Sequence, residues 1–311
     1  MKTKNKFLLF ALIGICFSAC SNNKDKNGKE LSTTTTGEVK IAADETLLSI
    51  IDAQEQVFET IYPKANLSAV YLPELDMMDL FIKDSISLVV AARGLNPSEI
   101  AYFKGKHSYT QNKIATDGIA LIVNNQNTDT TFTLAQVREI MRGNFKDWNI
   151  LDKKSTLAKI NLVFDNKNSG TVRYMAELVG QKSIPGYALK TNEEVIKYVS
   201  ENKNALGIVG VNWISDKDDP KAMKFRSGIN VVGIMGDPGD LGDDYYYQPY
   251  QAYFATKQYP LLREIYSISR EPRAGLATGF ASFISSDKGQ KIILKSGLLP
   301  ANAPIRIIQT N

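Results

Sequence analysis

Histidine occurs once among the 311 residues and cysteine twice, and both cysteines, Cys16 and Cys20, fall within the first twenty positions. A chain so poor in imidazole and thiol carries no His/Cys spacing for a zinc-type metal site and no cysteine nucleophile in its body. His107 stands alone in the polar stretch Lys104–Asn112, with no Gly-x-Ser-x-Gly elbow or Ser-x-x-Lys pair to recruit it into a hydrolase. The acidic run Asp237–Asp244 lacks the Asp-x-Asp-x-Asp-Gly register of a calcium loop and reads as solvated. These absences argue against an enzyme, and no metal or cofactor is expected. An excess of one charge is lacking too. Of 37 basic and 33 acidic residues, three lysines (Lys2, Lys4 and Lys6) sit in the first six positions, which leaves 34 against 33 for the rest. A pI of 8.8 is therefore no argument for nucleic acid or for an anionic surface.

What the chain does have begins with those lysines. They precede an apolar run, Phe7–Phe17, too short to span a bilayer, and then Ser18-Ala19-Cys20. The order resembles the bacterial lipoprotein signal, which implies a leader over residues 1–19 and an acylated, palmitate-bearing Cys20 as the first mature residue. A plain secretory leader cut elsewhere is the alternative. Residues 20–36 then form the lipidated cysteine and a tether, since Ser21–Thr36 is almost free of apolar side chains and reads as disordered. As a flexible coil it would reach roughly 20–25 Å.

About 275 residues remain, enough for two lobes. Val39–Ala42, Asn66–Leu72 and Ile86–Ala91 read as strands alternating with helices at Leu47–Ile61 and Met77–Ile82, the pattern of a parallel α/β sheet. Lys113–Val123 is a long strand, Thr133–Arg142 a helix stopped by Gly143, and Gly207–Ile214 a further strand. Tyr245–Ala255 is expected as an aromatic strand, with helices at Pro260–Tyr266, Gly275–Ser285 and Lys288–Lys295.

Between these lies the stretch with most chemistry in it. Ile160–Phe164 is a short apolar strand, Asn166–Gly170 a turn cluster, and from Thr171 the apolar spacing is helical. Strand, small polar loop and helix make an anion site, because the first helical turn leaves N–H groups unpaired at an electropositive end. Gly170 admits close approach, and Ser169 and Thr171 each bring a hydroxyl. Ser169 as an ordinary helix cap is the competing reading.

The segments KIATDGIALIVNN, LAQVREIMRGNFKDWN, NSGT, ALGIVGVNW, YPLLREIYSI and GFASFISSDKGQKIILKSGLLP, in that order, resemble the phosphate-type substrate-binding proteins of ABC importers. The likeness runs from about Gly37 to Arg306. It implies an α/β, two-lobe type II periplasmic-binding-protein fold closing on a ligand, with two crossing strands, Lys113–Val123 and Tyr245–Ala255, as hinge. Lobe 1 would comprise 37–112 plus 253–311, and lobe 2 residues 113–252. Also implied are phosphate or a related oxyanion as ligand, an ABC permease as partner, a lipid anchor in the cell envelope facing the periplasm, and a monomer that binds no nucleic acid.

The resemblance places the ligand on Thr46 and Leu47, at the start of the first helix, and on Ser169, Gly170 and Thr171. Asp44 or Thr46 as a simple cap remains the alternative there. Two positions depart from the family pattern. Its Ser-Asp is here Ala92-Arg93, and the Arg before its Ser-Gly-Thr loop is here Asp165. Arg93 would supply a planar donor fork and Asp165 would orient it or accept a ligand proton, the two facing each other across the cleft. A surface ion pair of Arg93 with Glu99 is the other reading. Tyr71-Leu72-Pro73-Glu74 replaces a Ser/Gly-rich loop; Pro73 and Glu74 read as a helix start, and Glu74 in the cleft would repel a dianion. A sensory or assembly role, with the fold kept and the ligand altered or lost, fits the same departures.

Replacing Cys20 by Ser is expected to abolish acylation and leader removal together. Mass spectrometry of the membrane fraction decides, since a mutant still membrane-bound at the mature mass would exclude a lipoprotein.

Overall fold

A computed structural model describes residues 32–104, 109–215, 220–271 and 273–302. Cys20, His107 and the Asp216–Asp219 loop lie outside them. The strands are β1 (Gly37–Asp44), β2 (Ala65–Leu72), β3 (Leu88–Ala91), β4 (Thr110–Asn124), β5 (Thr131–Thr133) and β6 (Asn161–Phe164). They continue as β7 (Tyr187–Ala188), β8 (Ala205–Gly210), β9 (Ile229–Val231), β10 (Gly233–Met235), β11 (Leu262–Ser269) and β12 (Leu299–Pro300). Ten of them form one sheet in the order β2-β1-β3-β11-β4-β8-β6-β7, with β9 and β12 also on β4, while β10 pairs with β5 apart.

The two lobes are the two halves of this sheet. In one, β1 runs parallel to both β2 and β3. In the other, β6 runs parallel to β8 and β7. The inner parallel strands are apolar because they are covered on both faces, as in the four buried residues of β3 and the six of β8. The halves are joined through β4, whose residues Thr110–Gly118 pair with β11 and whose Ile119–Val123 pair with β8. The eight residues from Asp117 to Asn124 are all buried, so the strand is a core element on each side of the junction.

β4 is the crossing strand expected at Lys113–Val123, but its companion is not Tyr245–Ala255. That segment makes one isolated bridge, Tyr247 to Ile234, and then the short helix Gln251–Ala255. The companion is β11, in the stretch expected as the helix Pro260–Tyr266. Leu261, Arg263, Ile265 and Ser267 are buried in alternation there, which is a strand period.

Local signals elsewhere hold. The helix Leu134–Arg142 opens with a reciprocal capping box between Thr133 and Gln136 and stops at Gly143 in a left-handed conformation. The helix Gly170–Leu178 buries Val172, Met175 and Ala176 and turns its polar side outward. Strands β1, β3 and β6 all end at the junction between the halves, bringing Asp44, Ala92-Arg93 and Asp165 to one place. The cleft at the carboxyl ends of parallel strands is the usual ligand position of such sheets. No helix among the described residues is long and apolar enough to cross a membrane.

The end of the expected tether packs rather than hangs free. Thr33 N donates to Thr36 O at 2.9 Å and their hydroxyls meet at 2.9 Å. Thr34 lies so close to Gly279 that a Cβ there would stand 1.8 Å from the Thr34 carbonyl oxygen. The sequence pattern of a leader and a tether poor in apolar side chains predicts that removing residues 1–31 leaves stability unchanged. Removing 1–36 should cost about 1 kcal/mol from the lost hydrogen bonds and contacts, roughly 2–4 °C in the unfolding midpoint. Equal midpoints for the two truncations in calorimetry would show that the segment contributes nothing.

Candidate functional site

Two helix starts from opposite lobes meet at the bottom of the cleft. β1 ends at Asp44, the turn Glu45–Leu47 follows, and the helix Leu48–Ile61 runs on from it. Across the cleft, Ser169 caps the helix Gly170–Leu178, its Oγ accepting from Val172 N at 3.3 Å. The group between these helix starts is the carboxylate of Asp44. Its Oδ1 accepts from Thr46 N at 3.0 Å and its Oδ2 from Gly170 N at 3.1 Å. Gly170 is required by this approach, for a Cβ would lie 2.5 Å from Asp44 Oδ2 and 2.7 Å from Glu74 Oε2.

Below sits Arg263, supplied by β11 and only 3% exposed. Its Nε donates to Asp117 Oδ2 at 2.9 Å, with Nη2 at 2.8 Å from the same oxygen. Nη1 reaches Thr171 Oγ1 and Nη2 reaches Thr46 Oγ1, each at 3.2 Å. One guanidinium thus ties the hinge strand β4 to a hydroxyl from each lobe.

Thr46, Ser169, Gly170 and Thr171 therefore gather as expected, with Leu47 buried beside them in the core. Arg93 and Asp165 do not face each other as the sequence led us to expect. Arg93 donates to both Glu99 oxygens at 2.7 and 2.8 Å and to Glu74 at 3.0 Å, all within its own lobe. Asp165 accepts from Ser169 Oγ at 2.7 Å and, at its other oxygen, from Asn192 Nδ2 at 3.4 Å. The cross-cleft ion pair belongs instead to Glu74, which receives Arg173 Nε at 2.6 Å. Glu74 is both the helix start its sequence announced and a fully buried cleft residue. Further links cross the cleft at Asn192 Nδ2 to Glu45 (2.9 Å), Trp213 Nε1 to Thr46 O (2.9 Å) and Leu75 N to Asn168 O (3.2 Å). The lobes are shut.

Arg263, Asp117, Arg173 and Asn192 were not among the residues singled out from the sequence. Asp117 had a signal, an acid inside an otherwise apolar strand; Arg263 was hidden by the helical misreading of its segment.

Six carboxylates (Asp44, Glu45, Glu74, Glu99, Asp117 and Asp165) crowd three guanidiniums (Arg93, Arg173 and Arg263). Burial, and then the charge of Glu74, pushes Asp44 from 3.8 up to about 6. Burial and the nearby Asp165 push Glu45 from 4.5 up to about 7. Asp117 and Asp165 are likewise raised by burial, although Arg263 opposes this at Asp117 and the Ser169 hydroxyl at Asp165.

The sequence profile of the PBP superfamily domain matches residues 28–288. The chain belongs to the periplasmic-binding-protein superfamily, whose two-lobe α/β fold it has. It is similar to the phosphate-binding protein PstS of Staphylococcus aureus, 25% identical over 204 residues, 64% of this chain and 62% of the length of that relative. Among solved structures, a phosphate ABC transporter substrate-binding protein from Clostridium perfringens with bound phosphate superposes at a TM-score of 0.70, with 20% identity. That match covers 85% of this chain and 100% of the other. An ABC-type phosphate transport receptor from Vibrio cholerae superposes at 0.63 with 19% identity over the same shares.

A carboxyl whose pKa is raised on folding favours the folded state while it is protonated, and that contribution is lost as pH rises from its unfolded value through its folded one. Stability should therefore fall between about pH 4 and 7, as Asp44 and Glu45 ionise in place. For Asp44, raised from 3.8 to about 6, the loss is on the order of 3 kcal/mol at about 1.4 kcal/mol per pH unit. The unfolding midpoint measured against pH should flatten in Asp44→Asn and in Glu45→Gln; parallel curves for parent and both variants would exclude these groups.

Proposed function

We propose that this chain is a lipid-anchored extracytoplasmic solute-binding protein that captures phosphate or a related oxyanion for an ABC importer. The observation that carries this is the seat between two helix starts. Amides of Thr46 and Gly170 hold one buried anionic group, Asp44, within reach of the charge of Arg263, whose guanidinium donates to the Thr46 and Thr171 hydroxyls; an oxyanion would use the same amides and cation. The likeness to phosphate-binding proteins across most of both lobes supports the ligand class. Closing lobes replace the oxyanion's hydration with fixed donors, so capture needs no covalent step. In this reading Cys20 carries the acyl anchor, the protein faces the periplasm as a monomer, and an ABC permease receives the ligand.

A second reading has a specific observation behind it. The carboxylates lining the cleft repel a dianion, which favours a sensory or assembly protein that retains the fold with an altered ligand. The two separate in one titration. A phosphate receptor with this cleft should prefer phosphate, which brings a proton to the carboxylates, over sulfate, which has none to give at neutral pH. At about a hundredfold excess over its dissociation constant, phosphate should stabilise the purified protein by about 2.7 kcal/mol, seen as a rise of several degrees in the unfolding midpoint. If neither phosphate, sulfate nor simple phosphate esters move the midpoint at millimolar concentration, the oxyanion reading fails.

A further inference from the structure

We propose that Asp44 sets the affinity of the cleft: its carboxylate is a built-in occupant of the oxyanion seat, which an external oxyanion enters only by displacing it. The inference rests on the oxyanion reading above and adds a competitor within the chain. Each backbone amide has one proton to give. While Asp44 Oδ2 takes the proton of Gly170 N and Oδ1 that of Thr46 N, neither helix start has a first-turn donor at these positions left for a ligand. The occupant is fully buried, so it does not share the seat with solvent.

The contact also bridges the lobes, since Asp44 ends β1 in one and Gly170 opens a helix in the other. It holds shut the closure that a ligand would otherwise drive. Around it the closed network is incompletely paired. Asn192 Oδ1, whose amide nitrogen serves Glu45 and Asp165, is buried with no hydrogen-bond partner, and a bound oxyanion carrying a proton or a water is the kind of group that would meet it. The consequence is a receptor of lowered affinity, in which the binding energy of any oxyanion is reduced by that of the carboxylate it expels.

The test uses Asp44→Asn and Asp44→Ser, because both residues still cap the turn at Thr46 and keep the fold. Glu45→Gln is the control, removing a neighbouring charge that touches neither Gly170 N nor Thr46 N. Phosphate titrations of the purified proteins should show affinity at least tenfold tighter in both Asp44 variants, and less than threefold tighter in the control. Opening is read separately, without ligand. Trp213 bridges to Thr46 across the cleft and is buried, and the only other tryptophan, Trp148, is sealed in the core. Acrylamide should therefore quench tryptophan emission more strongly in the Asp44 variants than in the parent. A parent that binds phosphate while the Asp44 variants bind it no more tightly, or no more tightly than the control, overturns the inference and leaves the oxyanion reading standing. If no protein binds phosphate, the oxyanion reading fails. Quenching then decides: unchanged shielding of Trp213 in both variants overturns Asp44 as the occupant that holds the lobes shut, and increased quenching supports it.

Discussion

The Arg263–Asp117 pair is the point on which the rest of the molecule turns. Both partners are buried, on the two strands that cross between lobes, and a charge in such a place is tolerated only when paired and hydrogen-bonded. Removing either would strand the other in a medium of low dielectric. The guanidinium has donors left after Asp117 is served, and they go to Thr46 and Thr171, one from each lobe. The geometry of the cleft floor is therefore set by the hinge. A rotation of one lobe about β4 and β11 moves a threonine away from a group that cannot leave its place.

Around this fixed cation the carboxylates arrange themselves by proximity to donors. Glu74 lies between Arg93 and Arg173, Asp165 takes the Ser169 hydroxyl, and Asp44 takes the two helix starts. Asp165 before the Ser-Gly-Thr loop and Glu74 after Pro73 thus act together: with the other acids they leave the cleft with more carboxylates than guanidiniums. Burial raises the carboxyl pKa values there, and at Asp44 and Glu45 the charge of a neighbouring acid adds to it, since six acids share three bases in a largely buried space.

Much of this was readable in the residues, for reasons that can be named. The strand-loop-helix unit at Ile160–Leu178 and the helix closed by Gly143 are specified by short-range chemistry, in caps, turns and period, and they fold as that chemistry dictates. Asp44, Thr46, Ser169, Gly170 and Thr171 were visible because helix starts announce themselves. Arg263 was not. In Leu261–Ser267 the alternation that marks a strand is carried partly by a buried arginine, and an arginine at an inward position looks like an outward one until its partner is known. That partner, Asp117, is 146 residues away. Tyr245–Ala255 erred the other way: aromatic residues of high strand propensity sit on a loop with Tyr245 64% exposed, where nothing pairs with them as a strand. The Arg93–Asp165 pairing failed because both found nearer partners, Glu99 six residues on and Ser169 four residues on.

One strand, β4, is a structural member of both lobes, pairing along its first half with β11 and along its second with β8. As an object to be taken apart, the molecule consequently has no seam. A chain cut between the lobes would sever β4 in the middle of its buried run from Asp117 to Asn124, leaving each fragment with a broken core strand. The lobes resemble two pages on one spine: they swing, but neither can be issued as a separate leaf. Melting of one lobe frees one end of a strand built into the other, so mechanical independence at the cleft coexists with coupling at the spine.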